Sequence, residues 1–298
     1  MRIAVIADIH GNLPALEAVL EALETLQPDQ IVVNGDVVDG GPDSAACWER
    51  VKKIGCPVLR GNHERYVFDY GTERADPLWA TPQFGPLQFT HNSMSSEQIK
   101  EIAALPTSWR SPDASGVLIV HASARADSDS VLPHTPLENI DEMFAGVDDS
   151  LIIRSHNHIC STRDWRGKRI VTTGAVGLSL DGCPQAKFCV LTQDFQGHWR
   201  VDHRAIKYDV NAAMRRFTES GYLETTGPMG RLFLREVATG SNHVVPFLRH
   251  LGPHRQGASL QIVEEALNAG YIPRSRFVKD GWKNAPTRLG HQKSRGWC

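Results

Sequence analysis

The sequence has no long hydrophobic run. Its apolar stretches, such as Gly116 to Val120 and Leu151 to Ile153, fall far short of the roughly 18 to 20 residues that a membrane helix needs. The chain opens directly on a strand pattern rather than on a signal-peptide layout, so a soluble protein of the cytoplasm with no membrane partner is expected. Cysteine is sparse: Cys47, Cys56, Cys160, Cys183, Cys189 and Cys298 are scattered with no CxxC pair, which argues against a thiolate zinc knuckle and a disulfide scaffold. Net charge is also nearly absent. With 32 Lys and Arg against 34 Asp and Glu, the formal charge of -2 gives no whole-chain reason to bind nucleic acid or an anionic membrane. Fixed-period repeats and low-complexity tracts are missing too. What is there, 298 residues with 41% apolar content, is enough to bury a full core as one large domain or as a domain with an appendage.

The apolar segments follow a rhythm. Arg2 to Ala7 reads as a strand and ends in Asp8-Ile-His-Gly-Asn12; a helix follows, with Asn12 as cap, Pro14 in its first turn, and Leu16, Val19, Leu20, Leu23 and Leu26 on one face. Gln30 to Asn34 is the next strand, Asp43 to Ile54 a helix, and Pro57 to Arg60 a third strand leading into Gly61-Asn-His-Glu64. This β-α-β-α-β order belongs to α/β architectures, where polar clusters at strand C-termini meet. Tyr66 to Thr90 reads as a loop-rich segment with short helices, and Ser96 to Leu105 as a helix ended by Pro106. Gly116 to Val120 and Leu151 to Arg154 are buried strands delivering His121 and Ser155-His-Asn-His158. Glu138 to Phe144 reads as a short helix, and Lys168 to Thr173, Ala186 to Thr192 and Trp199 to Ile206 as strands. Seven to ten strands with fewer helices suggest two stacked sheets with helices outside.

Five polar clusters carry chemistry: Asp8-x-His10, Asp36 within Gly35-Asp-Val-Val-Asp39, Asn62-His63, His121, and His156-Asn-His158. One Asp or His after a strand is usually a turn residue or is satisfied by a carbonyl. Five in succession, with no thiolate, form a nitrogen and oxygen ligand set suited to divalent manganese, iron, nickel or zinc rather than calcium. Residues i and i+2 of an extended or just-ending strand point the same way, so Asp8 with His10, and His156 with His158, can converge. Asp36, beside the flexible Gly35, is the best bridge for a metal pair about 3.5 to 4 Å apart. His63 then stands next to Asn62 without a ligand role, placed to protonate a departing alkoxide.

These blocks resemble the ordered signature of the calcineurin-like metallophosphoesterase superfamily, over about residues 1 to 204. The start, Ile6-Ala-Asp-Ile-His-Gly-Asn-Leu-Pro-Ala-Leu16, and Thr173-Gly-Ala-Val-Gly177 are most similar to its compact bacterial and archaeal phosphodiesterase-like branch, whereas Leu59-Arg-Gly-Asn-His-Glu64 is closer to the Ser/Thr protein phosphatases. The resemblance implies a four-layer αββα sandwich with two divalent metals, manganese foremost, at the strand C-termini. It implies Asp8, His10, Asp36 and His158 around the first metal and Asp36, Asn62, His121 and His156 around the second. Asp39 and Glu64 are then expected behind these groups, fixing an imidazole's tautomer. Ser155 stands where glycine is common, a small change if the backbone there is not left-handed. Gly40 stands where the protein phosphatases carry a phosphate-gripping arginine.

The function expected is a dinuclear-metal phosphoester hydrolase acting on small or protein-borne phosphates, as a monoesterase, a diesterase or both. His63 and Asp36 are its catalytic candidates, and Arg60, Arg65 and Arg125 its candidate phosphate contacts. Two other classes are weaker: a metal-dependent nuclease, raised by a basic C-terminal end but opposed by the acidity of the rest, and a non-catalytic regulator that binds a phosphorylated partner. Residues 1–221 are expected to form the catalytic domain and residues 222–298 a helical appendage with a basic tail. Asp209 to Thr218, Gly230 to Ala238, Asn242 to Leu251 and Ser259 to Asn268 read as amphipathic helices. Val244, Phe247, Leu248, Leu260, Val263 and Leu267 are expected to dock the appendage near the cleft or across a homo-oligomer interface.

Overall fold

Alternate residues of a strand face opposite ways, and the first strand has two different apolar environments to fill. Ile3 and Val5 of β1 (Arg2–Ile6) point into one core and Ala4 and Ile6 into another. The structure, a computed structural model, describes residues 1–113 and 115–251. After β1 come α1 (Leu13–Leu26), β2 (Gln30–Asn34), α2 (Ser44–Lys52), β3 (Val58–Leu59) and α3 (Asn62–Asp69). Short 3-10 turns at Pro77–Ala80 and Pro82–Phe84 lead to α4 (Gly85–Ser93), α5 (Ser96–Ala103), β4 (Ser108–Trp109), β5 (Val117–Val120) and α6 (Leu137–Met143). The chain continues through β6 (Leu151–Arg154), β7 (Ser161–Trp165), β8 (Lys168–Thr172), β9 (Ala186–Gln193) and β10 (Trp199–Ile206). It then runs into α7 (Val210–Glu219), α8 (Tyr222–Thr239) and α9 (Val244–Leu251).

The strands form two five-stranded mixed sheets, ordered β10-β9-β1-β2-β3 and β4-β5-β6-β8-β7. Their centres are parallel: β1 with β2, β2 with β3, β5 with β6, β6 with β8. Antiparallel strands close three of the four edges, and β3 closes the fourth in parallel. Between the sheets lie Ile3, Val5, Val32 and Leu59 from one and Val117, Ile119, Ile153 and Val171 from the other. On the outer face of the first sheet, α1 buries Leu16, Val19, Leu20 and Leu23, its start capped by Asn12 Oδ1 accepting from Ala15 N at 3.2 Å. On the outer face of the second, Ile140 and Met143 of α6 pack with Phe144, Leu118 and Ile152. The result is the expected α/β/β/α layering. Parallel strands buried on both faces read as continuous apolar runs, which is why β5 and β6 were easy to see.

The differences are local. Helix α3 begins inside the Gly61–Glu64 motif, and Glu64 Oε2 accepts from Gly61 N at 2.7 Å to cap it. The segment expected to be loop-rich from Tyr66 therefore starts as helix. Edge strands β4 and β7 escaped the sequence reading, because one is two residues long and the other, Ser161-Thr-Arg-Asp-Trp165, is largely polar. Helix α8 starts at Tyr222 rather than Gly230 and kinks at Gly227, ahead of Pro228.

Tyr222 is fully buried between Phe89 of α4 and Phe217 of α7, with ring centroids 4.9 and 5.1 Å away. Its hydroxyl donates to the Gly40 carbonyl at 2.9 Å. Phe247 of α9 is buried against Met229 and Leu232 of α8, with Val244 and Leu248 beside it. Leu260, Val263, Leu267, the Ser259–Asn268 helix and the basic extension lie outside the described residues. No described helix is long and apolar enough to cross a membrane.

Candidate metal centre

The loops leaving β1, β2, β3, β5 and β6 bring the five sequence clusters together between the sheets. Their backbone is unusual. Among the described residues eight non-glycine positions have positive φ, and six of them are Asp8, His10, Asp36, Asp39, His156 and His158. Left-handed backbone is disfavoured for residues with a Cβ and persists where the surroundings over-determine it, commonly at functional sites. The i, i+2 pairs therefore do not converge by strand alternation. Strands β1 and β6 end at Ile6 and Arg154, and the candidate ligands project from left-handed turns beyond them. Adjacent loops hold these turns: Asp8 N donates to Gly35 O at 3.1 Å, His10 N to Asp36 O at 2.9 Å and Gly11 N to Val37 O at 3.0 Å. Gly177 N donates to Asp8 O at 2.9 Å from the turn after β8. Gly35 itself has φ +81°, as a tight turn beside Asp36 requires. Ser155 is not among the left-handed residues, and its hydroxyl accepts from Asn34 Nδ2 at 2.8 Å.

Two groups of ligand atoms result, each drawn within 4.8 Å: Asp8, His10, Asp36 and His158, and Asp36, His121 and His156. Asp36 belongs to both, with Oδ2 3.7 Å from His10 Nε2 and 3.2 Å from His121 Nε2. Asn62 joins the second group, its Oδ1 3.1 Å from His121 Nε2 and 2.9 Å from His156 Nδ1.

The tautomers show what these atoms face. His10 Nδ1 donates to the Asp39 carbonyl at 2.8 Å and His158 Nδ1 to the Leu178 carbonyl at 2.7 Å. In the neutral rings both Nε2 lone pairs then point at each other across 3.1 Å. His121 repeats the arrangement, with Nδ1 donating to the Asn34 carbonyl at 2.8 Å and Nε2 turned toward oxygen acceptors. Asp8 Oδ2 and Asp36 Oδ2 are buried without a hydrogen-bond partner. Burial drives the Asp8 carboxyl up to about 8 against the pull of His121, and the Asp36 charge adds to the rise. Converging lone pairs and orphaned buried carboxylate oxygens need positive charge, and the donor set fits divalent cations.

His63 sits beside this cluster rather than in it. Its Nδ1 is 2.8 Å from Asp39 Oδ2, and its ring stands edge-on to His10 at a centroid distance of 4.7 Å. Burial lowers its pKa, but the Asp36 and Asp39 carboxylates outweigh that and raise it to about 9. Asp39 thus fixes two imidazoles, one through its side chain and one through its carbonyl. Glu64 touches none. Its carboxylate accepts from the amides of Asp36 at 2.8 Å, Val37 at 2.7 Å and Gly61 at 2.7 Å, so it braces the bridging loop instead of a ring. At Gly40 an added Cβ would meet His10 Nδ1 and Phe233 Cε1 at 3.3 Å, leaving little room for a longer side chain.

Arg60, Arg65 and Arg125 gather in a neighbouring pocket that His121 also lines. Arg65 is held by Asp127 at 2.6 and 2.8 Å, and Arg125 by Asp129 at 3.0 Å and Glu142 at 3.1 Å. Two supporting residues escaped the sequence reading. Asn34 positions both His121 and Ser155. Arg154, fully buried, donates to the carbonyls of Ala122 at 2.6 Å and Asp129 at 2.7 Å and to Asn157, pinning the His156 turn. A charged residue closing an apolar strand was the available signal for Arg154.

Known proteins are similar to this chain in sequence and fold. The family model for calcineurin-like phosphoesterases matches residues 1–160, a span that contains every ligand candidate. An uncharacterised protein of Methanocaldococcus jannaschii is 26% identical over 250 residues, covering 78% of this chain and 97% of its own length. The Salmonella typhimurium serine/threonine-protein phosphatase 1 is 34% identical over 76 residues, 25% of this chain and 35% of its own. In fold, the chain is similar to a metallophosphoesterase from Sphaerobacter thermophilus, with TM-score 0.63, 23% identity and coverage of 80% of this chain and 100% of that one. It is also similar to a hypothetical protein of Pyrococcus horikoshii, with TM-score 0.65, 19% identity and coverage of 81% and 99%. With that family match spanning more than half of its length, the chain belongs to the calcineurin-like phosphoesterase family and is a metallophosphoesterase.

Proposed function

We propose that the chain is a dinuclear phosphoester hydrolase of the cytoplasm, with Asp8, His10, Asp36 and His158 holding one divalent metal and Asp36, Asn62, His121 and His156 the other. Manganese is the first expectation, with iron, nickel or zinc as alternatives. The observation that carries this reading is Asp36, a buried carboxylate shared by two groups of converging lone pairs. A pair of divalent cations supplies charge neutralisation for the phosphoryl group and a nucleophile from water at neutral pH.

The chain's own residues do the rest. Asp36 brings negative charge into a buried site, Asp8 would add its own once a cation offsets the burial that raises its pKa, and the carbonyls of Asp39, Asn34 and Leu178 hold three imidazoles with Nε2 turned inward. Asp39 Oδ2 anchors His63 through Nδ1, which leaves Nε2–H of the imidazolium to protonate the leaving oxygen. Such an acid permits an unactivated alkoxide to leave, so phosphomonoesters are within reach as well as diesters. Small phosphorylated molecules and phosphoproteins are both substrate classes of this reading.

The test is metal-free protein titrated with manganese, nickel, zinc and iron against phosphomonoesters, phosphodiesters, a phosphopeptide and 2',3'-cyclic nucleotides, together with total metal per chain. Two metals per chain and metal-dependent turnover are expected. Fewer than one metal per two chains after saturation with manganese would sink the dinuclear centre.

A further inference from the structure

The pocket beside His121 has a volume of about 460 Å³, and four arginines line it: Arg60, Arg65, Arg110 and Arg125. Three of them are spoken for. Arg65 is paired with Asp127, Arg110 with Asp149 at 2.8 Å, and Arg125 with Asp129 and Glu142. Arg60 is not. It makes no ion pair among the described residues, and its Nε is buried without a hydrogen-bond partner. Its guanidinium rests 5.7 Å from the centroid of Phe68, a contact that orients the fork without neutralising its charge. Asp127 is the one carboxylate lining the pocket, and Arg65 engages both of its oxygens.

A guanidinium is always charged, and it presents a planar fork of donors that matches a phosphate. A pocket in which one such fork is left over, while every other charge is matched, selects a group of opposite sign. The position of Arg60 says where that group is attached. Arg60 lies two residues before Asn62, and His121 belongs both to the pocket wall and to the ligand cluster. The pocket thus adjoins the Asp36 cluster, so one molecule can reach both with two of its groups.

We infer that the pocket is a second anion subsite and that the substrate is a small phosphoester bearing a second phosphate group. This rests on the hydrolase reading above and narrows its substrate class. The ester phosphate lies at the Asp36 cluster, and the second phosphate takes the unpartnered fork of Arg60 in the pocket. Arg65 and Arg125 keep their carboxylates and shape the rim.

Two measurements test this separately from turnover as such. The first compares kcat/KM of the metal-loaded full chain on alkanediol bisphosphates of increasing length with that on the matching alkyl monophosphates. A preference of roughly 10- to 100-fold for one bisphosphate length is expected, the usual worth of a charge-assisted hydrogen-bonded pair. Arg60→Gln should shrink that ratio toward one with metal content unchanged. The second titrates inorganic pyrophosphate into the full chain in EDTA, by calorimetry. Binding that weakens roughly tenfold or more in Arg60→Gln, and tightens in Asp127→Asn as Arg65 is released, supports the subsite. Equal kcat/KM on both substrate classes with pyrophosphate binding unchanged in Arg60→Gln overturns it and leaves the hydrolase reading standing. Pyrophosphate bound through Arg60 with no turnover of any phosphoester supports the anion subsite and overturns the hydrolase reading instead.

Discussion

His63 differs from His10, His121 and His158 in what holds it. All three donate Nδ1–H to carbonyls; burial keeps His10 and His158 neutral with a lone pair turned inward, whereas in His121 burial is outweighed by the Asp36 carboxylate, which raises the ring to about 9. His63 faces a carboxylate oxygen, which favours the protonated ring of an acid. His63→Ala is expected to keep its metal while turnover of a phosphomonoester with a poor leaving group falls by about 10² to 10⁴, the range for losing a general acid. An activated aryl phosphate should suffer less, because its leaving oxygen needs less protonation. Equal losses on both would make His63 a positioning residue, and loss of metal would make it a ligand. Asp36 carries a complementary prediction. Asp36→Asn should lower metal content at both positions, since one lost charge is felt by both ligand groups, whereas His10→Ala should mainly weaken the group with Asp8, Asp36 and His158. Elemental analysis of variants purified without chelator distinguishes the two. The identities of these residues were legible from the sequence, because apolar runs ending in Asp, Asn or His recur in order. Their left-handed backbone was not, since φ is announced in sequence mainly by glycine and here falls on Asp and His.

The elements were legible in proportion to how much apolar surface they bury. Helix α1 and strands β1, β5 and β6 each carry a period that matches their environment, and they appear where expected. Helix α3 was hidden because its cap is a backbone amide answered by Glu64, inside a motif that reads first as chemistry. Helix α8 was half hidden by Gly227 and Pro228, which break the pattern without ending the helix. At its far end Glu236 is 2% exposed and accepts from His243 N at 2.6 Å and Val244 N at 2.8 Å, so it caps the start of α9. Burial raises its pKa from 4.5 to about 7 despite those amides. Between the two values the folded chain holds a proton that the unfolded chain has lost, so this group's contribution to stability falls as pH rises through that window. Burial acts the other way on the neighbouring His243, lowering it from 6.5 to about 4, so its contribution rises with pH over that range. In the wild type the two slopes oppose. Glu236→Gln keeps an acceptor oxygen but removes one slope. Its stability relative to wild type should be near parity at acid pH and gain on the order of 3 kcal/mol by about pH 8. Denaturant unfolding of both proteins across this range checks it, and a difference independent of pH would be the wrong outcome.

At the scale of the whole molecule the charge is unevenly divided. Residues 271–298, which lie outside the described residues, contain seven Lys or Arg and one Asp, while the chain as a whole is at -2. The rest of the chain is therefore acidic, and an anionic substrate approaching it is repelled at long range before it meets the Asp36 cluster or the pocket arginines. A cationic segment offsets such a field, and the effect acts on encounter rather than on the chemical step. Deleting residues 271–298 should then lower kcat/KM for a highly charged phosphoester more than for a singly phosphorylated one, with kcat little changed. The loss should shrink as salt is added, because beyond about 10 Å a charge is largely screened at 0.1 M ionic strength. If these residues only stabilise the fold, the deletion lowers the unfolding temperature and leaves kcat/KM at low salt as it was, for both substrates. The two outcomes separate on one salt series, with the ratio of kcat/KM between the substrates as the measured quantity.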